Sequence, residues 1–211
     1  MLPRSFAAPP PSSPNPASPD PALDADKAAL RAESRKTRRA LKAENPGAAV
    51  RAATLAPLDR LVLRRPWVAA VYRAVGAELD PAPLAARLVA AGAVIASPVV
   101  TARDAPLVFR QWTDTPPALD ALGLKVPPPD APELRPDLVI VPLLAFDLNG
   151  ARLGQGGGYY DRTLAQLRAA GPVLAVGLAY AGQVTAHIPT DALDQPLDGV
   201  LTETAYLDFT M

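Results

Sequence analysis

The sequence predicts an α/β protein, a three-layer α/β/α sandwich around a mostly parallel, Rossmann-like central sheet. Three observations point there. Residues 67–72 are a short apolar run bounded by Pro66 and Gly76; a helical stretch opened by Asp80-Pro81 and stopped by Gly92 follows, and residues 93–96 are apolar again. Such a strand, helix, strand unit is the building block of a parallel sheet. Residues 137–146 form the most apolar run of the chain, and residues 173–179 form another just after a helical stretch at 159–170 closed by Gly171. Apolar runs of this length read as buried strands, and their alternation with helices supplies the crossovers that parallel pairing needs.

At 211 residues the chain fits one sizeable domain. Apolar residues make up 49% but aromatics only 5%, so the core must be built from Ala, Val and Leu. The formal net charge is +0, with 21 basic and 21 acidic side chains, which argues against a nucleic-acid or anionic-membrane partner. Any anion must therefore be held locally. The absence of cysteine excludes disulfide frameworks, zinc ribbons and cysteine nucleophiles. No apolar run reaches the ~18 residues of a membrane span, and the N-terminus lacks a signal-peptide layout, so a cytoplasmic protein is expected.

The 26 prolines amount to roughly one residue in eight, against a typical ~5%, and many precede Leu23. Residues 1–22 are therefore expected to be a disordered, Pro-rich extension, passive or a ligand for a small adaptor domain, with residues 23–211 as the single α/β domain. From Asp24 to about Lys42 the pattern is helical, with Asp24 or Asp26 available as N-cap and Leu30 and Leu41 facing the body. Lys27, Arg31 and Arg35 repeat every four residues, so they share a face. That stripe is either a solvated face or a set of phosphate contacts. Asn45, Pro46 and Gly47 break the helix, and residues 48–64 resume it around Pro57. Residues 107–112 are expected as a further strand, and residues 113–136 as a long Pro-rich connection. Pro142 should bend or end the central strand, Asn149-Gly150 marks a tight turn, and residues 199–203 form a last short strand. Tyr206, Leu207 and Phe209 can pack on the body.

Chemistry concentrates in Arg152-Leu153-Gly154-Gln155-Gly156-Gly157-Gly158-Tyr159-Tyr160-Asp161-Arg162. Glycines let successive backbone N–H groups converge on one anion, and the helix that follows adds its positive end. Arg152 and Arg162 can add charge-assisted bonds to phosphate, and Asp161 can hold a magnesium ion that bridges phosphates. These parts suit phosphoryl transfer. A Walker A loop needs Lys then Ser or Thr where Tyr159 and Tyr160 stand, and a dinucleotide fingerprint needs a third glycine at position 159. A glycine-rich hairpin without a ligand is the structural alternative.

The stretch from Val141-Pro142-Leu143 through Ala145-Phe146-Asp147 and Gly150 to Arg162 resembles the signature of the 5-formyltetrahydrofolate cyclo-ligase family. Lys27-x-x-Leu30-Arg31 resembles that family's nucleotide-binding helix, Glu78 its substrate-binding glutamate, and Pro196-Leu197-Asp198 with Leu201-Thr202-Glu203 its C-terminal segment. The resemblance implies an ATP- and magnesium-dependent ligase of one-carbon metabolism that converts 5-formyltetrahydrofolate, with or without a polyglutamate tail, to 5,10-methenyltetrahydrofolate, as a monomer. It implies ATP contacts from Lys27, Arg31 and residues 152–160, and folate contacts from Glu78, Gly156, Gly158 and Tyr159. Asp161 and Asp198 are implied as magnesium ligands, with Arg152 and Asp161 catalytic. Gly157 stands where some family members carry lysine. A different ATP-using ligase or kinase, or a non-catalytic folate or nucleotide binder, remains the alternative. The lone His187 is expected to be structural, Trp112 to pack, and Asp191 and Asp194 to serve as turn residues rather than metal ligands.

Overall fold

The computed structural model of the protein describes residues 21–61, 67–112 and 116–210. Seven strands form one sheet in the order β11-β10-β9-β6-β1-β2-β3. The central strands are β1 (Trp67–Ala70), β2 (Ala93–Val99), β6 (Leu138–Pro142), β9 (Leu174–Leu178) and β10 (Gly199–Leu201). All four pairings among them are parallel. The edge strands β3 (Val108–Gln111) and β11 (Tyr206–Asp208) run antiparallel, giving a mixed, mostly parallel sheet.

Period-two burial on both faces explains the three layers. Leu138 and Ile140 of β6 and Val176 and Leu178 of β9 pack with Trp67 and Ala69 against α2 (Ala48–Leu55), α3 (Leu58–Leu61) and α4 (Ala82–Ala90). The alternate residues Ala70, Val139, Val141 and Ala175 pack on Leu164 of α5 (Tyr159–Ala170). Leu138 is fully buried in the strand between β1 and β9. Leu138→Ala is expected to cost about 2–5 kcal/mol, read as a lower urea midpoint with an unchanged slope.

The helix α1 (Pro21–Glu44) starts two residues inside the expected extension, so Asp24 and Asp26 lie within it rather than capping it. The remainder of that extension, residues 62–64 of the second helical stretch and residues 113–115 lie outside the described residues. Helix α1 ends as predicted: both the backbone N–H and the Nδ2 of Asn45 donate to the Leu41 carbonyl (3.0 Å each), and Pro46 has no N–H to continue. Pro81, not Asp80, is the N-cap of α4, and Asp80 just before it accepts the Ala82 N–H (3.0 Å) in a turn that leads into the helix.

One expectation needs correction: the connection 113–136 contains a hairpin of β4 (Ala118–Leu119) and β5 (Lys125–Val126). The tight turn expected at Asn149-Gly150 is present, and it joins β7 (Ala145–Phe146) and β8 (Arg152–Leu153) in a second hairpin. Strands of two residues leave no periodic trace in a sequence. Pro142 does end β6, and the carbonyls it strands find side-chain donors instead: Gln183 Nε2 donates to Leu143 and Leu144 (3.0 and 2.9 Å), and Arg38 Nη1 donates to Leu143 (3.0 Å).

Candidate active site

Strand order reverses beside β1: the chain passes from β1 to β2 on one side, and β6, β9 and β10 lie on the other. Such a switch point leaves a crevice outside the carboxyl ends of the strands. Tyr72 and Arg73, after β1, and Leu143, after β6, lie in the wall of a cleft of ≈ 860 Å³ there. The cleft also takes in Lys27, Arg31, Glu78, the whole run from Arg152 to Arg162, and residues 191–195.

The glycine loop bridges β8 and α5. Gly156 and Gly158 hold φ of +101° and +64°, where other residues are strained. Gly158 is the N-cap of α5, and no side chain caps that end, so its first-turn N–H groups are open to an anion. Helix α1 clamps the loop from outside. Arg31 Nε donates to the Gly154 carbonyl (3.1 Å), and Arg35 donates to Gln155 Oε1 through Nε (3.2 Å) and Nη2 (3.1 Å). A side chain on Gly157 would meet the Tyr159 ring at 2.8 Å, so the ring fills the space a lysine there would need. Arg162 donates to the Gly157 carbonyl (2.7 Å), and its guanidinium lies 5.3 Å from the Tyr159 ring centre.

Lys27 is buried, not on a solvated face. Its ammonium pairs with Asp194 (2.6 Å) and Asp191 (3.1 Å). Burial works against the charge, but the bonds to Asp194 and Asp191 outweigh it and raise the Lys27 pKa above the ordinary lysine value. Asp191 and Asp194 also make turn bonds, to the Leu193 and Asp191 N–H groups (2.8 Å each), so the turn role and a role in the cleft coexist.

Arg152 is buried in β8 and spends its guanidinium on protein partners: Nη1 donates to the Gln195 carbonyl and Nη2 to Asp161 Oδ1 (2.6 Å). Arg152 thus braces Asp161, where phosphate contact had been expected. The Gln195 N–H also donates to Asp161 Oδ1 (3.1 Å), which brings Asp194, one residue earlier, next to Asp161. Asp198 is elsewhere. It precedes β10 and does not line the cleft; its Oδ2 accepts the Ala175 N–H (2.7 Å) and Arg168 Nη2 (3.1 Å). The carboxylates gathered around Lys27 and Arg152 on the cleft are therefore Asp161, Asp194 and Asp191, and the expected pairing of Asp161 with Asp198 is not seen. Among the described residues no group of three or more acidic, His or Cys side chains could hold a metal on its own. That fits magnesium, which commonly takes one or two carboxylates and completes its octahedron with phosphate and water.

Glu78 stands on the cleft wall. Its Oε2 accepts the Val75 N–H (2.9 Å), and its Oε1 lies 3.6 Å from Arg38 Nη1. Burial raises the Glu78 pKa, which the Val75 bond and the Arg38 charge partly reverse. Tyr160, half-buried near Glu78, has its pKa pushed up by desolvation first and then by that carboxylate, so it stays a neutral hydroxyl at physiological pH. Arg38 escaped the sequence, yet its signal was there: Lys27, Arg31, Ser34 and Arg38 lie at i, i+4, i+7 and i+11, one face of α1, and three of the four are buried. His187 is exposed and outside the cleft. Trp112 packs under the Arg73 guanidinium (5.3 Å), beside a second cavity of ≈ 710 Å³ that shares Tyr72, Arg73 and Glu78 with the first. No helix among the described residues is long and apolar enough to cross a membrane.

Residues 23–203 match the sequence profile of the 5-formyltetrahydrofolate cyclo-ligase family. The chain is 32% identical to the 5-formyltetrahydrofolate cyclo-ligase of Haemophilus influenzae over 178 residues, covering 82% of this chain and 95% of that protein. It is 34% identical to the Escherichia coli K12 protein of the same name over 139 residues, covering 63% and 76%. Among solved structures, the Aquifex aeolicus 5,10-methenyltetrahydrofolate synthetase is similar with a TM-score of 0.68 at 27% identity, covering 88% of this chain and 93% of that one. The Mycoplasma pneumoniae 5,10-methenyltetrahydrofolate synthetase is similar with a TM-score of 0.60 at 25% identity, covering 84% and 99%.

Proposed function

The chain belongs to the 5-formyltetrahydrofolate cyclo-ligase family, and from that premise we propose how its cleft divides the work of the family's ATP-dependent reaction. The enzyme converts 5-formyltetrahydrofolate to 5,10-methenyltetrahydrofolate while ATP becomes ADP and phosphate. One observation carries the division of labour: the phosphate-suited glycine loop and the Glu78 carboxylate open on the same cleft.

The formyl oxygen on N5 is a poor leaving group. Transfer of the γ-phosphoryl group to it makes an iminium phosphate; the N10 lone pair then attacks the formyl carbon, the N10 proton is lost, and the C–O bond breaks with inorganic phosphate leaving. The first-turn N–H groups of α5, the Arg31 guanidinium and the third N–H of Lys27 hold the triphosphate in line with that oxygen. Glu78 fixes the pterin by accepting its N3–H and 2-amino hydrogens. Tyr159 and the backbone at Gly156 and Gly158 border both substrates. Asp161 and Asp194 are the residues that would hold magnesium, which when bound would neutralise charge on the phosphates and on the bridging oxygen that departs with ADP. No enzyme nucleophile is needed. A cytoplasmic monomer is the form expected to act, with the Pro-rich extension as an appendage to a single domain.

The test mixes purified protein, 5-formyltetrahydrofolate and MgATP and follows methenyl absorbance together with ADP. The two should appear in equal amounts. Folate binding without methenyl product at any ATP concentration would mark the protein as a binder instead.

A further inference from the structure

We propose that Arg38 is a specificity-determining residue, donating a hydrogen bond to the C4 carbonyl oxygen of the pterin while Glu78 takes the adjacent N3–H and 2-amino donors; this rests on the assignment of Glu78 to the pterin. Arg38 is 6% exposed, on the inward face of α1. Its Nη1 donates to the Leu143 carbonyl (3.0 Å) and lies 3.6 Å from Glu78 Oε1. Its Nη2 makes no hydrogen bond among the described residues, and within this guanidinium only Nε is both unpartnered and sealed from solvent. The side chain lines the cleft with Glu78, so the unpartnered Nη2 is the part of it left to face a ligand. A buried guanidinium with an idle donor beside a half-buried carboxylate asks for a ligand that presents an acceptor next to donors.

The pterin edge has that order: 2-amino donor, N3–H donor, C4 oxygen acceptor. A carboxylate alone reads the two donors and makes no contact with the atom at C4, sensing a 4-amino group only through the N3 hydrogen that its introduction removes. The neighbouring guanidinium supplies what is missing, because it attracts a carbonyl oxygen and opposes an amino group, and a site built around a hydrogen bond rejects the analogue that cannot make it. The bond to Leu143 also gives Arg38 a structural duty after the break at Pro142. A merely structural arginine would change stability and leave ligand discrimination alone.

The experiment measures equilibrium binding of 5-formyltetrahydrofolate and of its 4-amino-4-deoxy counterpart to the full-length protein, with thermal melting and the KM for ATP alongside. The wild type should prefer the 4-oxo ligand. Arg38→Met should cut that preference by about tenfold or more, the loss of one charge-assisted hydrogen bond, with the KM for ATP unchanged. Arg38→Lys, which keeps a donor, should fall between, and it decides the outcome if the methionine variant does not fold. An unchanged 4-oxo to 4-amino ratio in Arg38→Lys and Arg38→Met, with Glu78→Gln still weakening both ligands, overturns the role of Arg38 alone. Full folate binding in Glu78→Gln overturns the assignment of Glu78 beneath it.

Discussion

Asp161→Asn is expected to lower methenyl formation by about 10²–10³-fold, the range seen when one preorganised charge-stabilising group is lost from an active site, while the protein stays folded. The amide keeps an oxygen at Oδ1 to accept Arg152 Nη2 and the Gln195 N–H, so the brace between β8, α5 and residue 195 survives. The other position is what changes. Asp161 Oδ2 has no hydrogen-bonded partner among the described residues, and an uncharged NH2 in its place cannot hold a cation. Manganese titrated in the presence of ATP, followed by its paramagnetic effect on water protons, should bind the variant more weakly than the wild type. Turnover at the wild-type rate would remove Asp161 from the metal. Asp198→Asn is the contrasting case: its Oδ2 serves the Ala175 N–H and Arg168, away from the cleft, so stability should fall and kcat should hold.

The contrast between these two aspartates marks where sequence alone stopped. The fold class was legible because burial on both faces of β1, β6 and β9 writes continuous apolar runs, and because helix ends at Asn45-Pro46-Gly47 and Gly171 carry local backbone chemistry. The glycine loop was legible for the same reason: positive φ at Gly156 and Gly158 is a local demand that only glycine meets cheaply. What acts across the chain was not. Arg152 belongs to Asp161 and Gln195 because of a hairpin of two-residue strands, and Asp194 reaches the cleft because a turn delivers it to Lys27, 167 residues earlier. Asp198 shares that segment, and there the family resemblance pointed to Asp198 for the metal and left Asp194 to the turn. Only the strand that begins at Gly199 separates them, pinning Asp198 to the amino end of β9.

Lys27→Met is expected to raise the KM for ATP roughly 10- to 150-fold, the equivalent of one hydrogen bond to a charged group, and to leave the KM for 5-formyltetrahydrofolate unchanged. An ammonium has three N–H groups; Asp194 and Asp191 take two, which fixes the third in a buried position instead of on a swinging side chain. Removing it does more than delete one phosphate contact. The two carboxylates lose their common counter-charge and stand beside the incoming triphosphate, so part of the penalty is repulsion. A Lys27→Met, Asp191→Asn double variant separates the two effects, because Asp191 is the more exposed partner and the less needed beside Asp161. Its KM for ATP should lie below that of Lys27→Met alone, giving a favourable coupling in the double-mutant cycle. Strict additivity would mean that Lys27 acts on ATP independently of Asp191. An unchanged KM for ATP in Lys27→Met would confine the residue to holding the loop around Asp194.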